Sequence, residues 1–167
     1  MCDDRGNSRA KARADMLRER QTARGLLTHA REFHAAAALL ADTVGYDDLT
    51  SGLADTKYHN PFYYLCGHSL ELAMKSALLA DSDHHRLKKL SHGLIACMNQ
   101  MQSAYPSYQT QYDEHREIVR PLDTSYSAKE FEYRITGFAR WPIPSELLYV
   151  TEAFCLMSDE ILRSKRL

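Results

Sequence analysis

The chain has 167 residues, of which 44% are apolar and 26% charged, the usage of an ordinary globular domain and not of a disordered one. Lys and Arg number 21 against 22 Asp and Glu, a net charge of −1, so no overall field draws the protein to nucleic acid or to an anionic membrane. With 7 Gly and 5 Pro, the chain has too few turn residues for an all-β design.

Met1 to Ser8 contain no apolar run of the kind a signal peptide needs. The longest stretch of small apolar residues, Ala35 to Ala41, is far too short to span a bilayer. A cytoplasmic protein with no membrane attachment is expected. Residues 1–12 read as a flexible basic tail and residues 13–167 as a single domain. Residues 1–31 hold 8 basic side chains against 4 acidic ones, a local excess of +4. Such an excess suits a phosphate-seeking arm, or simply a solvated start to the first helix.

That helix begins near Ala12 and is strongest from Arg24 to Val44, where Leu26, Ala30, Phe33, Ala37, Leu40 and Val44 recur at helical spacing. Ala35 to Ala38 remove bulk and let a neighbour approach. Gly45 supplies the stop. After a polar connection over 45–59, Asn60 is a candidate cap and Pro61 fits the first helical position, which needs no amide partner. The helix they open runs to Ala80 and is apolar or small nearly all round, so it is expected at the centre of the fold. Its one polar stripe holds Tyr64, His68, Glu71 and Lys75, within about 60° of one another.

A polar turn over 81–85 leads to a third helix, starting at Arg86 or at Ser91 and ending before Pro106, with Leu94, Cys97, Met98 and Met101 inward. Residues 107–120 are a candidate fourth helix with a thin apolar face. Phe131 to Thr136 alternate apolar and polar, the strand period, and Thr136-Gly137 can turn the chain back through Phe138 to Trp141. Pro142 and Pro144 then open a last helix on Leu147, Val150, Phe154, Met157 and Ile161. Arg163, Lys165 and Arg166 suit its negative end. The expected fold is all-α, a four- to five-helix up-and-down bundle with a short extended or β-hairpin insertion before the last helix. Cys2, Cys66, Cys97 and Cys155 form no metal-type pair and read as buried thiols or, for Cys2, a tail residue.

The segment from Tyr64 to Ala80 resembles the central helix of HEPN-like helical proteins, which often carry a His-x-x-Glu-x-x-x-Lys pattern there, matched by His68, Glu71 and Lys75. Leu90-Ser-His-Gly-Leu94 is similar to the Gly-His-Asp-Leu start of their next helix, with His92 and Gly93 in reversed order and the Asp missing. Tyr133-Arg134 is similar to an aromatic–arginine stretch before their last helix. The resemblance spans about residues 26 to 163. It implies a four- or five-helix bundle that forms a homodimer, often in toxin–antitoxin or phage-defence settings. The partners it implies are RNA or a nucleotide, and an antitoxin or nucleotidyltransferase-like protein. Many such proteins are metal-independent ribonucleases with an Arg-x4–6-His motif and no cofactor; others are non-catalytic binding modules.

The ribonuclease chemistry needs a histidine to take the 2′-hydroxyl proton and a cation to steady the phosphate. Two spacings qualify, Arg24 with His29 and Arg86 with His92, although chance yields as many in a chain of this composition. Arg24 and His29 diverge by about 140° on a helix. Arg86 and His92 bracket a helix start, so they are the candidate pair, with His92 as base and Arg86 on the phosphate. His68, Glu71, Lys75, Tyr133 and Arg134 would line the binding cleft, Arg134 pairing with Glu71. Alternatively, Glu71 and Lys75 are an i, i+4 pair on a solvated side, and the protein is a non-catalytic homodimeric module. Tyr126, Lys129, Tyr133, Arg134, Phe138, Arg140 and Trp141 interleave aromatics with cations, either to stack bases or to cover one end of the bundle. His84, His85 and His92 with Asp81 and Asp83 are better explained as a solvated loop than as a metal site, so no metal is expected.

Overall fold

The structure is a computed structural model and describes residues 22–47, 52–81, 87, 90–131 and 141–167. Residues 1–21, which include the expected tail and the expected helix start near Ala12, lie outside the described residues. Five α-helices make up most of the described residues: α1 Ala23–Val44, α2 His59–Leu79, α3 Leu94–Ala104, α4 Gln109–Ser127 and α5 Pro144–Ser164.

Thr22 caps α1, its Oγ1 accepting the amide of Gly25 at 3.0 Å. Gly45 ends it at φ 75°, a left-handed conformation that suits glycine, and returns its amide to the carbonyl of Ala41. The buried face of α1 is Ala23, Leu26, Leu27, Ala30, Ala37 and Ala41, so Leu26, Ala30 and Ala37 of the expected stripe are covered, whereas Phe33, Leu40 and Val44 are only partly so. Small side chains dominate because α2 lies close against them.

Asn60 does not cap α2. The helix already starts at His59, led in by a single 3₁₀ turn over Thr56–Tyr58 whose cap is Asp55, accepting the Lys57 amide at 3.1 Å. As its composition predicts, α2 is buried round most of its circumference and touches all four other helices. Ser91 does not cap α3 either. Its backbone is left-handed, φ 47°, and the first amides of α3 are taken by a side chain from another helix: Asp123 Oδ1 of α4 accepts from Leu94 at 2.5 Å and from Ile95 at 3.3 Å. α4 extends past the expected 107–120 because Val119, Leu122 and Tyr126, with Tyr112 and the polar His115 and Ser125, complete a face that looked thin. In α5 the whole expected stripe is buried.

The bundle departs from a strict up-and-down order between α2 and α3. Ser91 and His92 meet the middle of α2 at Lys75 and Glu71, while Tyr105, after α3, reaches the carbonyl of Ala77 and the carboxylate of Asp81. Both helices therefore run the same general way. α5 also runs with α2: Tyr63 donates to the carbonyl of Pro142 at one end, and Asp81 pairs with Lys165 at the other.

Three hydroxyls tie α2 to its neighbours through backbone carbonyls. Ser69 donates to Ala30 and Ser76 to Ala23 on α1, and Ser158 of α5 donates to Ala73, all at 2.7–2.9 Å and all buried. At the surface, Asp159 of α5 gathers Arg24 and Arg31 of α1 and its own helix's Arg163, at 2.6–3.0 Å.

Among the described residues there is no strand, only an isolated bridge between Tyr46 and Leu53. The expected hairpin is therefore not seen: its described ends, Phe131 and Trp141, are irregular and pack on Tyr63, with ring centroids 6.2 and 4.7 Å away. Those two aromatics cover one end of the bundle. Residues 132–140, including Tyr133 and Arg134, lie outside the described residues. No helix among the described residues is long and apolar enough to cross a membrane.

Candidate functional site

The apolar character of α2 is broken at its midpoint by Glu71, only 4% exposed and facing α3 and α4. A carboxylate cannot be buried unless its lone pairs are used, and here they are. Lys75, one turn on, donates to Oε1 at 2.6 Å. Tyr126 of α4 donates to Oε2 at 2.5 Å, and Nδ1 of His92, just before α3, lies 3.1 Å from the same oxygen. His68 stands 3.9 Å from Oε2, too far to bond it directly, but its Nδ1 is 2.9 Å from the Tyr126 hydroxyl. Lys75 also donates to the carbonyl of Ser91 at 2.5 Å, which the left-handed turn at Ser91 presents.

Tyr126 reaches this position because of Gly67. A Cβ on Gly67 would fall on the tyrosine ring, so glycine lets the ring lie against the α2 backbone and carry its hydroxyl to Glu71.

The electrostatics follow from this geometry. Burial pushes the Glu71 carboxyl upward, but the Lys75 ammonium and the hydrogen bonds from Lys75, Tyr126 and His92 outweigh it and hold the group below the usual carboxylate range. Burial and the adjoining Glu71 charge raise the Tyr126 phenol, which stays protonated. His68 is lowered, mainly by burial, against the opposing pull of Glu71 and with help from the nearby His92, Lys75 and His29. The cluster thus holds an ionised carboxylate, a phenol, an ammonium and two imidazoles.

A small crevice opens beside it, lined by Tyr64, His68, His92, Tyr126, Lys129 and Phe131, with about 30 Å³ of free space. That is room for a water or two, or for one hydroxyl or small group of a larger ligand. The His92 and His68 side chains are 44% and 27% exposed, so both imidazoles are open to solvent while the carboxylate behind them is not.

Four sequence candidates are brought together here: His68, Glu71, Lys75 and His92. The solvated i, i+4 reading of Glu71 and Lys75 is overturned, since both are shielded, with side chains 5% and 16% exposed. Arg86, Tyr133, Arg134, Asp83, His84 and His85 lie outside the described residues, and Glu71 is served by Lys75, Tyr126 and His92. Arg24 and His29 do not meet: Arg24 bonds Asp159 and the Leu167 carbonyl, and His29 pairs with Glu32. Tyr126 is the member that sequence reasoning assigned to the aromatic arm. The one signal that could have found it is a glycine in the interior of a buried helix, which marks a close approach by something bulky. Among the described residues no group of three or more His, Cys, Asp or Glu is placed to hold a metal ion, and Cys66, Cys97 and Cys155 are buried free thiols.

Compared with known proteins, the chain matches no family model, no curated protein and no solved structure.

Proposed function

We propose that the protein is a HEPN-like helical bundle that binds RNA and cleaves it without a metal ion, in a bacterial stress or defence setting. The observation that carries this reading is the 3.1 Å contact between His92 Nδ1 and the buried Glu71. A carboxylate behind an imidazole fixes its orientation and stabilises the imidazolium that forms when the ring takes a proton. His92 accepts the 2′-hydroxyl proton, the freed oxygen attacks the adjacent phosphorus, and the P–O5′ bond breaks as the 5′-oxygen takes a proton from water, leaving a 2′,3′-cyclic phosphate and a 5′-hydroxyl. In this reading Arg86 would steady the charge on the phosphate and His68, Tyr133 and Arg134 would contact the RNA, with Glu71 and Lys75 as the shielded support behind His92. The test is cleavage of a 5′-labelled RNA by the purified protein in the presence of a chelator. Wild type should cut and His92→Ala should lose at least about 100-fold, the usual contribution of a general base. A wild type that leaves RNA intact ends this reading.

One observation favours a second reading. Glu71 spends both oxygens inside the chain and the crevice is small, as suits a non-catalytic homodimeric module that binds a protein or nucleotide partner such as an antitoxin or nucleotidyltransferase-like protein. Sedimentation of wild type beside Glu71→Ala, with RNA integrity followed in parallel, separates the two: loss of a dimer with no change in RNA favours the module.

A further inference from the structure

We infer that Glu71, directly and through Tyr126, holds both His92 and His68 in the tautomer that carries its proton on Nδ1, so that His68 is a second proton-accepting group of the crevice and the ligand taken there is one that brings hydroxyl donors.

Counting donors leads to this. An ionised carboxylate has no proton to give, so His92 Nδ1, 3.1 Å from Oε2, must donate. Tyr126 has a single hydroxyl proton, and it lies in the 2.5 Å contact with the same Oε2. Two oxygens at that separation with no proton between them would repel. The tyrosine oxygen is then left as an acceptor toward His68 Nδ1 at 2.9 Å, and His68 must be the donor. The opposite arrangement needs a protonated Glu71, which the Lys75 ammonium at 2.6 Å opposes. In each neutral ring the proton on Nδ1 leaves Nε2 with its lone pair. Among the described residues the other charged and titratable groups around the rings are Tyr64 and Lys75 on α2, His29 on α1 and Lys129 beyond α4; both Nδ1 atoms already face an oxygen, that of Glu71 for His92 and that of Tyr126 for His68.

Two Nε2 lone pairs beside one crevice make a site that accepts hydrogen bonds. Phosphate oxygens and carboxylates have none to offer it while the rings are neutral; hydroxyls do. The tautomers stand on geometry alone. That the hydroxyls belong to ribose rests on the RNA reading above.

The test uses the full chain labelled with ¹⁵N in histidine, followed by long-range proton–nitrogen correlation near pH 7.5. Both His68 and His92 should give the Nδ1–H pattern. Tyr126→Phe, which keeps the ring on Gly67, should release His68 to a mixture while His92 keeps its pattern. His68 found with its proton on Nε2, or left unchanged by Tyr126→Phe, overturns the proposal. Methyl β-ribofuranoside should shift the Nε2 resonances of both rings, and its tri-O-methyl ether, which has no hydroxyl, should not; equal effects of the two, or none from the free sugar, overturn the assignment of the ligand. Cleavage of RNA is scored separately by His92→Ala, so the two readings can fail independently.

Discussion

The ring of Tyr126 occupies the space that a side chain at Gly67 would fill. Contact between these two residues, 59 positions apart, is what lets α4 deliver a hydroxyl into the polar heart of α2. Gly67→Ala should therefore displace the ring and lower stability by about 1–3 kcal/mol, the usual penalty for overfilling a tight interior. Urea unfolding measures it. Combining Gly67→Ala with Tyr126→Ala should cost little more than Tyr126→Ala alone, because the overlap is gone. Full additivity would show that Gly67 matters for some other reason.

Glu71 should be the most sensitive polar position in the described fold. Glu71→Ala leaves the Lys75 ammonium, the Tyr126 phenol and the His92 imidazole without their common acceptor, and about 3–5 kcal/mol of stability should be lost, as for other broken buried ion pairs. Replacing both partners, Glu71→Leu with Lys75→Met, should recover part of that loss, because no charge is then stranded. A double variant less stable than Glu71→Ala would count against this account.

Acid should weaken the fold in two stages. Burial lowers the imidazoles of His34, His68 and His115 below their ordinary value of 6.5. Between those lowered values and 6.5 the unfolded chain binds protons that the folded chain refuses, so falling pH favours unfolding. Their contribution is complete above 6.5 and declines beneath it. Glu71, also lowered, keeps its contribution above its ordinary value of 4.5 and loses it as pH falls through the folded value. Urea midpoints from pH 8 to pH 3 should fall first below pH 6.5 and again below pH 4.5. A midpoint that stays flat from pH 7.5 to pH 5 would contradict the imidazole part.

Asp123 does from a distance what an N-terminal cap does locally. Asp123→Ala should lower stability by about 1–2 kcal/mol, the range for loss of a helix cap. Asp123→Asn keeps an accepting oxygen and should retain much of it. Amide exchange at Leu94 and Ile95 is the direct readout, and unchanged protection there in Asp123→Ala would refute the assignment.

Periodicity was enough to locate α2 and α5, because their apolar positions are local facts: a helix apolar on most sides must be central, and Leu147, Val150, Phe154, Met157 and Ile161 share one stripe wherever the chain goes. The polar quartet His68, Glu71, Lys75 and His92 was also legible, since three of the four share a face and the fourth follows in a short polar connection. What was not legible depends on contacts between distant elements. Ser91 looked like a cap until Asp123, 29 residues beyond Leu94, turned out to serve α3. α4 looked thin because its face is finished by His115, Ser125 and Tyr126, polar or amphipathic residues that count as apolar only once neighbours cover them. Tyr126 was read with the cations that follow it in sequence rather than with the glycine it meets in space. The same direction of α2 and α3 rests on the contacts of Ser91, His92 and Tyr105 with α2, which no local pattern encodes.

Greasy seams between helices have no preferred height: one cylinder can glide along another and exchange equivalent contacts. The hydroxyls of Ser69, Ser76 and Ser158 restrict that freedom, since each meets a backbone carbonyl only at heights about one turn apart. Gliding by half a turn, about 2.7 Å, would strand all three in a dry interior. With the three converted to alanine, the chain should stay compact and helical yet sample several alignments, and its amide spectrum should broaden into more than one set of signals.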